Sequence, residues 1–293
     1  MSKECREYHS QYIYQSSAYG IAGEFYRPSR QSLPMHGAAI LPVTGGLSSQ
    51  RTAGFSLDGL VSFESVFVEV GGSYDQCHDT QTSYSYSVIE GLNIADVLTA
   101  DRVVSRLMVY SPEEDHGGEH TFDITGSHFD NLKICGNHID VKLDTGAFHE
   151  LNSHSKFHDA YKNKKADELL LFNRLCGLKD EQLAELEETY HALHGLTGMV
   201  KTWRADQARE PKDRYICSAV SHLDLKSYAG QNSELQGYGA VICIPKFGVI
   251  RLGEMVVYKH SRSLTMFTVQ MCSVSSGSLS GAYASTGGGN GLP

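Results

Sequence analysis

Several features that define other protein classes are missing from this sequence. No apolar run reaches the roughly 7–15 residues of a secretory signal or the roughly 20 residues of a membrane-spanning helix. The seven cysteines lie far apart with no Cys-x-x-Cys pair, which favours reduced thiols over a disulfide framework. We therefore expect a cytoplasmic protein that does not act in a membrane.

The chain also lacks an excess of basic residues. Lys and Arg total 25 against 34 Asp and Glu, so the formal net charge is −9. Nucleic acids and anionic membranes are bound through basic surfaces. We therefore expect neither of them as a partner.

Familiar catalytic motifs are absent as well. The sequence has no G-x-x-x-x-G-K-[ST] phosphate loop, no G-x-G-x-x-G fingerprint, no H-E-x-x-H zinc motif and no nucleophile elbow. The segment Gly277-Ser-Leu-Ser-Gly281 has the spacing of an elbow, but Leu279 stands where the nucleophile belongs. Nucleotide-driven enzymes and serine hydrolases are therefore disfavoured.

What the sequence does contain is a repeated alternation of apolar and polar residues. Phe63–Val70 and the Tyr/Ser segment 83–87 alternate with a period of two, and further segments rich in Val, Ile, Phe and Tyr follow after residue 214. About nine or ten strands with one buried face each favour antiparallel sheets. The predicted fold is mainly β, an antiparallel two-sheet sandwich or jelly roll, with an inserted α-helical hairpin.

Gly136-Asn137 marks the clearest predicted hairpin, which spans residues 129–143. Both residue types tolerate the positive φ angles of a primed two-residue turn. Alternation then predicts one shared buried face, made of Leu132, Ile134, Ile139, Val141 and Leu143.

Two helices are predicted where the period changes to 3.6, over residues 156–176 and 180–194. Gly177 and Gly195 stand where C-terminal caps belong. The predicted packing residues of this insertion are Leu169, Phe172, Leu175, Leu186, Tyr190 and Leu193.

Five segments organise the chain in this interpretation. Residues 1–50 form a Tyr-rich arm and loop, 51–150 and 199–272 form the two parts of the sandwich, 151–198 form the helical insertion, and 273–293 form a Gly/Ser-rich tail. Glycine-rich segments lose much backbone entropy on ordering. We therefore expect the arm or the tail to be held by a neighbouring copy, in a homo-oligomer.

Histidines and carboxylates cluster in two places that have the residue types of a metal site. His116-Gly-Gly-Glu-His120 lies on a predicted loop, and His154 and His158 are four residues apart, one helical turn. The candidate ligands of a divalent zinc, iron or calcium ion are His116, Glu119, His120, His149, His154 and His158. A solvated loop and a polar helix entrance are the structural alternatives.

Short segments along most of the chain resemble an uncharacterised family of bacterial β-rich proteins of unknown function. They are Glu90–Asn93, Thr99–Arg102, Gly126–Phe129 followed by Asn131-Leu, and Arg262–Met266. The resemblance implies a bacterial source and carries no activity with it.

Two functions remain open from the sequence. The first is a non-catalytic β-rich binding or self-assembly protein, favoured by the missing motifs, the tyrosines and the strand edges that need partners. The second is a metal-dependent hydrolase or oxygenase that uses the His and carboxylate clusters on a jelly-roll scaffold.

Overall fold

The chain folds into two large antiparallel sheets with few helices, as a computed structural model shows. The structure describes residues 12–27, 30–112, 119–163, 165–166, 169–171, 177–189, 198, 200–201, 204–205, 214–223, 236–272 and 276–290. The strands are β1 Tyr12–Arg27, β2 Gln31–Ile40, β3 Gly46–Leu57, β4 Val61–Asp75, β5 Thr80–Ile94, β6 Leu98–Pro112, β7 Thr121–Asp123, β8 His128–Asp130, β9 Lys133–Ile134, β10 Asn137–His138, β11 Val141–Leu143, β12 Arg214–Ser218, β13 Val220–Leu223, β14 Gln236–Tyr238, β15 Val241–Ile244, β16 Gly248–Tyr258, β17 Ser261–Cys272 and β18 Ser276–Asn290. The helices are α1 Thr145–Glu150, α2 His154–Lys162 and α3 Asp180–Thr189.

Sixteen of the described strands form two eight-stranded sheets, and β11 and β13 form a separate two-stranded sheet. Sheet A has the order β14-β15-β16-β17-β18-β1-β2, with β12 also on β16, and sheet B has the order β10-β9-β6-β5-β4-β3, with β7 and β8 also on β6. Strands β1 and β18 contact β5, and β17 and β18 contact β6, so the two sheets pack face to face. The predicted antiparallel two-sheet sandwich is confirmed.

The interior between the sheets combines an apolar core with a row of buried serines on β5. Val66, Val68 and Ile89 are among the fully buried core residues. Ser85 Oγ donates to the Ser285 carbonyl at 2.6 Å, which joins sheet B to the backbone of sheet A. A serine is short enough to let the sheets approach closely, and its hydroxyl then needs a partner because it is buried.

The Gly/Ser-rich segment expected to be a tail is strand β18, which lies between β1 and β17. Its backbone is hydrogen-bonded on both edges, to β1 and to β17. The expected contact of this segment with a neighbouring copy stays a prediction. Two of its glycines leave room for aromatic rings: a Cβ on Gly281 would lie 2.3 Å from Phe267 Cζ, and a Cβ on Gly288 would lie 2.2 Å from Tyr12 Oη.

The segment expected to be an N-terminal arm also differs from its prediction. Residues 12–27 form β1 beside β18, with Tyr14 and Phe25 buried in the core, and residues 31–40 form the edge strand β2. The Tyr-rich alternation was the pattern of a half-buried strand. The division into five segments otherwise stays a prediction.

The predicted hairpin turn lies one residue earlier than expected. Ile134 pairs with Asn137, so the turn residues are Cys135 and Gly136, with φ angles of +50° and +78°. The hairpin strands β9 and β10 have two residues each. The segments that flank them pair elsewhere, β8 with β6 and β11 with β13. The predicted buried face is present in part: Leu132, Ile134 and Ile139 are buried, whereas Val141 and Leu143 are half-buried.

The helical segment is shorter than its periodicity predicts. Helix α2 ends at Lys162 rather than residue 176, and Leu170 forms a bridge to Cys217 on β12, so the predicted helix does not continue through residue 170. Helix α3 begins at Asp180 as predicted and ends at Thr189. Of the predicted packing residues, Leu186 is buried and Leu169 is half-buried. The others, Phe172, Leu175, Tyr190 and Leu193, lie outside the described residues.

Helix α3 covers part of the outer face of sheet A. Its Leu183 and Leu186 belong to a second apolar cluster with Val241, Cys243 and Val249 of β15 and β16. Among the described helices, none is long and apolar enough to cross a membrane.

Candidate functional site

Two of the segments predicted to hold metal ligands meet at one end of the sandwich. The backbone N–H of Ser155, in the first turn of α2, donates to Glu119 Oε1 at 2.8 Å, and Ser155 Oγ donates to Glu119 Oε2. The ring of His154 lies 5.3 Å from that of Tyr215, and His158 Nδ1 lies 2.7 Å from Tyr215 Oη. We call these residues, with His120, the histidine cluster.

A buried arginine lies beside the histidine cluster. Arg262 is fully buried, donates to the carbonyls of Lys259 and His120 at 3.2 Å each, and stacks its guanidinium over Phe122 at 5.8 Å. Burial lowers the pKa of Arg262 to about 10, while the charge of Glu119 raises it. This arginine joins β17 to the segment that carries Glu119 and His120.

Burial and the nearby arginine also shift the titration of the cluster. Burial lowers the pKa of His154, and the charge of Arg262 lowers it further. Burial raises the pKa of Glu119, but its hydrogen bonds from Ser155 outweigh that effect, so the net shift is downward. The resulting state is a neutral imidazole next to an ionised carboxylate.

Several polar atoms of the histidine cluster make hydrogen bonds within the protein, whereas His154 Nε2 and the neighbouring Arg262 Nε are buried without a hydrogen-bond partner among the described residues. Both oxygens of Glu119 accept from Ser155, and His120 Nδ1 lies 2.5 Å from Ser111 Oγ. Within the described ranges, no group of three or more His, Cys, Asp or Glu side chains is placed to hold a metal ion. His116 lies outside the described residues, and His149 is exposed in the last turn of α1. The metal site stays a prediction.

A second candidate site lies on the outer face of sheet B. Antiparallel register places Arg51 beside Phe67 and Phe67 beside Val88 in one cross-strand row. The next row contains Ser65, Glu90 and Arg102. Together these rows border a cleft of about 290 Å³, lined by Arg51, Ser65, Phe67, Tyr86, Val88, Glu90 and Arg102. We call this set the sheet B cleft.

Basic side chains outnumber acidic ones in the lining of the sheet B cleft, although the protein as a whole is acidic. The lining holds two arginines and one glutamate, whereas the chain carries a net charge of −9. Arg51 and Arg102 are exposed and make no hydrogen bond or ion pair within the described part of the chain. Glu90 Oε2 accepts from Ser65 Oγ at 2.7 Å. Two cationic groups are therefore available to a ligand.

Glu69 and Arg106, the charged residues in the cross-strand row of Tyr86, are already paired. Tyr84 donates its hydroxyl to Glu69 at 2.8 Å, and burial together with this carboxylate raises the pKa of Tyr84 to about 12. Arg106 donates to the Thr125 carbonyl at 2.6 Å and lies 3.7 Å from Asp123. The contrast with Arg51 and Arg102 distinguishes the cleft from the rest of the face.

Sequence reasoning did not find the cleft. The alternation in residues 83–90 indicated a strand with one polar face, and Tyr86 and Glu90 lie on that face. The lining residues come from four strands, and only their register makes them neighbours. That register is set by the pairing of four strands with one another, which a single-strand pattern does not contain.

Comparison with known proteins places the chain in a family. The family model described as Domain of unknown function (DUF8256) matches residues 12–258. The chain belongs to this family. No curated protein and no solved structure matches the sequence significantly.

The match to DUF8256 confirms the predicted relationship to an uncharacterised family. The matched range contains the whole lining of the sheet B cleft and all six predicted metal ligands. Arg262 and the strands β17 and β18 lie beyond it. The bacterial source stays a prediction.

Proposed function

We propose that this DUF8256 chain is a non-catalytic binding protein and that the sheet B cleft is its ligand site. The observation that supports the proposal is the pair of exposed arginines without partners, next to the half-buried rings of Phe67 and Tyr86. Ligand sites typically combine apolar and aromatic walls with a few polar groups. The cleft has this composition at the scale of a small ligand.

The lining also supports a binding role over a catalytic one. Ser65 donates to Glu90, but the cleft lining contains no histidine, lysine or cysteine that could relay a proton or attack a substrate. Acyl transfer and proton abstraction usually need such a nucleophile–base pair. Binding needs only complementary groups, which the cleft provides.

A ligand screen tests this proposal. Thermal unfolding is measured for the wild type, for Phe67→Ala, and for Tyr110→Ala as a matched control on the same sheet face outside the cleft. A ligand at 100 times its Kd adds about 2.7 kcal/mol to stability. We expect compounds that stabilise the wild type and Tyr110→Ala but not Phe67→Ala. Hits that are indifferent to Phe67→Ala, or that are chemically converted, contradict the proposal.

Self-assembly is a second part of the proposal, supported by the open edges of the sandwich. Strands β2 and β3 are edge strands of sheets A and B and contact each other. They and their connection carry exposed large apolar side chains, namely Met35, Ile40, Val43 and Leu47. Exposed edges and apolar side chains favour pairing with another chain. We propose that the N-terminal region contributes this edge to a homo-oligomer, rather than an arm.

Light scattering after size exclusion measures the mass of the assembly and tests whether the β2 edge mediates self-assembly. Ile40 is 74% exposed, so Ile40→Lys places a charge on β2 without disturbing the core. Tyr258→Lys, on sheet A, is the matched control. We expect Ile40→Lys to lower the mass of the assembly while Tyr258→Lys keeps it. A wild type that is monomeric at all concentrations contradicts self-assembly.

A metal-dependent hydrolase or oxygenase is the alternative function, supported by the meeting of Glu119, His154 and His158 in one cluster. Metal analysis of natively purified protein decides it. Stoichiometric zinc, iron or calcium that is lost in His154→Ala and His120→Ala, but kept in His78→Ala, would favour the enzyme. Metal-free protein after native purification would contradict it.

We also propose a cytoplasmic location in a bacterium. The free thiols of Cys77, Cys135, Cys217 and Cys243 support a reducing compartment, and the source rests on the segments that resemble bacterial proteins. Thiol titration of denatured protein directly after lysis should find all seven cysteines reduced. Disulfide-linked cysteines at that stage would contradict the location.

A further inference from the structure

We infer that the sheet B cleft takes an acidic sugar, a uronate-containing oligosaccharide. The inference rests on the proposed function, because it names the class of ligand for the same cleft. It is carried by the placement of the two arginines, the free oxygen of Glu90 and the aromatic side chains between them.

The arginines fit carboxylates on neighbouring sugar units. A guanidinium offers a planar fork of donors that matches a carboxylate with two parallel hydrogen bonds. Arg51 lies on β3 and Arg102 on β6, three strand spacings apart, or about 14 Å between the backbones. One carboxylate does not span that separation, whereas an oligosaccharide with a carboxylate on successive units reaches both.

The middle of the cleft fits a sugar ring. Glu90 Oε2 accepts from Ser65, and within the described residues its Oε1 has no hydrogen-bond partner, so it is available to a ligand hydroxyl. Phe67 and Tyr86 meet edge to face with centroids 6.3 Å apart and leave part of each ring exposed. Aromatic rings provide apolar contact area at low entropy cost. The rings of Phe67 and Tyr86 can pack against the C–H face of a pyranose. Glu90 Oε1 can then accept a hydrogen bond from a hydroxyl at the edge of the same sugar ring.

The charge balance favours carboxylates over phosphates. Glu90 and Asp130 lie directly beside Arg102 on its two neighbouring strands, so the two arginines of the cleft are balanced by two carboxylates. A phosphate monoester carries about −1.5 to −2 at neutral pH and meets repulsion from Glu90. A carboxylate carries a single charge and can stay close to one arginine. The hydroxyls of the same sugar then satisfy Glu90.

Isothermal titration calorimetry with defined probes tests the inference. The probes are the trisaccharides of galacturonate and of mannuronate, the neutral galactose trisaccharide of matched linkage, and glucose 1-phosphate. We expect at least one uronate trisaccharide to bind at least about tenfold more tightly than the neutral trisaccharide and the phosphate, because its charged hydrogen bonds are stronger. A neutral sugar that binds equally well, tighter binding of the phosphate, or no binding of either uronate overturns the inference.

Matched variants locate the binding. Arg51→Gln and Arg102→Gln should each weaken uronate binding about tenfold or more and reduce the preference over the neutral sugar. Arg30→Gln is the control, because Arg30 is exposed and paired with Glu24 away from the cleft. Circular dichroism and thermal unfolding confirm that each variant is folded. Uronate binding that survives both cleft variants overturns the inference.

The outcome is separable from that of the proposed function. If neither uronate binds but the screen yields other ligands sensitive to Phe67→Ala, the acidic-sugar class is wrong and the binding cleft stands. If no ligand of any class depends on Phe67, both the inference and the proposed ligand site fail.

Discussion

The outer faces of the two sheets differ in what covers them. On sheet A, Val241, Cys243 and Val249 are buried beneath Leu183 and Leu186 of α3. On sheet B, the described structure places no helix over the cleft, and its arginines remain exposed. The outer face of sheet A is therefore buried beneath a helix, whereas the outer face of sheet B at the cleft is exposed to solvent.

The strands show these constraints directly. All four residues of β15 are buried, because one face meets the core and the other meets α3. Strand β5 instead alternates, with Ser85 and Ser87 turned to the interior and Tyr84 and Tyr86 turned outward. A covered face selects apolar residues, whereas an open face retains polar and aromatic ones that a ligand can reach. This difference is the physical basis for placing the ligand on sheet B.

The largest expected effect on stability comes from weakening the apolar contact between α3 and sheet A. Leu183 is fully buried, so Leu183→Ala should lower the free energy of unfolding by about 2–5 kcal/mol through lost burial and a cavity. Glu185→Ala is the control and should cost less than about 0.5 kcal/mol, because its side chain is exposed on the same helix. Urea unfolding measures both. Equal midpoints for Leu183→Ala and Glu185→Ala would mean that α3 does not pack as described.

The second prediction concerns the reactivity of the Cys243 thiol, which lies beneath α3. Burial raises the pKa of Cys243 to about 12, so at pH 8 this thiol should react far more slowly than the exposed Cys77. If α3 opens locally to admit the reagent, Leu183→Ala should accelerate labelling of Cys243 about tenfold or more. Peptide mapping by mass spectrometry separates the two sites. Rapid labelling of Cys243 in the wild type would show that the two outer faces are equally open.

A smaller effect is expected on the open face. Tyr86 is half-buried, and Tyr86→Ala should lower the free energy of unfolding by less than about 1 kcal/mol while it weakens ligand binding. The comparison with Leu183→Ala is made by the same urea titration. A loss as large as that of Leu183→Ala would mean that another part of the chain covers the cleft, and the contrast between the faces would disappear.

Local patterns were sufficient for the fold class but not for the placement of its parts. Alternation identified strands in both sheets, yet it missed β1 and β2. It also did not show that residues 276–290 insert between β1 and β17, because glycine and serine have no strand signal of their own. The hairpin turn lies one residue early because Cys135, not Asn137, adopts the positive φ. Helix α2 ends at Lys162, and beyond it Leu170 pairs with Cys217, a contact distant in sequence that the helical period does not indicate.

The candidate sites were predictable to different extents. The i, i+4 spacing placed His154 and His158 on one helix, and the structure brings them near Glu119. Arg262 contacts the His120 carbonyl and Tyr215 contacts His158 only through tertiary packing, so no local sequence motif indicated that these two residues lie at the histidine cluster. The sheet B cleft depends on register across four strands, which is why its residues looked like ordinary exposed positions.

The smallest expected effect concerns the edge where the two sheets meet, between the covered and the open faces. His36 on β2 packs against the ring of Phe55 at 4.2 Å and that of Phe63 at 5.3 Å, and burial lowers its pKa. In the unfolded chain a histidine takes up its proton near pH 6.5. Between that pH and the lower pKa of the folded state, the unfolded chain binds more protons than the folded one.

The contribution of His36 to stability is therefore fully present above about pH 7 and is lost as the pH falls through 6.5 towards the folded-state pKa. His36→Gln cannot titrate in this range, so its urea midpoint should fall less steeply between pH 7.5 and pH 5.5 than that of the wild type. Each variant is compared with its own midpoint at pH 8, which removes any constant loss of packing. Parallel pH profiles for the two proteins would show that His36 is as accessible to protons in the folded protein as in the unfolded chain, and that the edge between β2 and β3 is open to water like the face of sheet B.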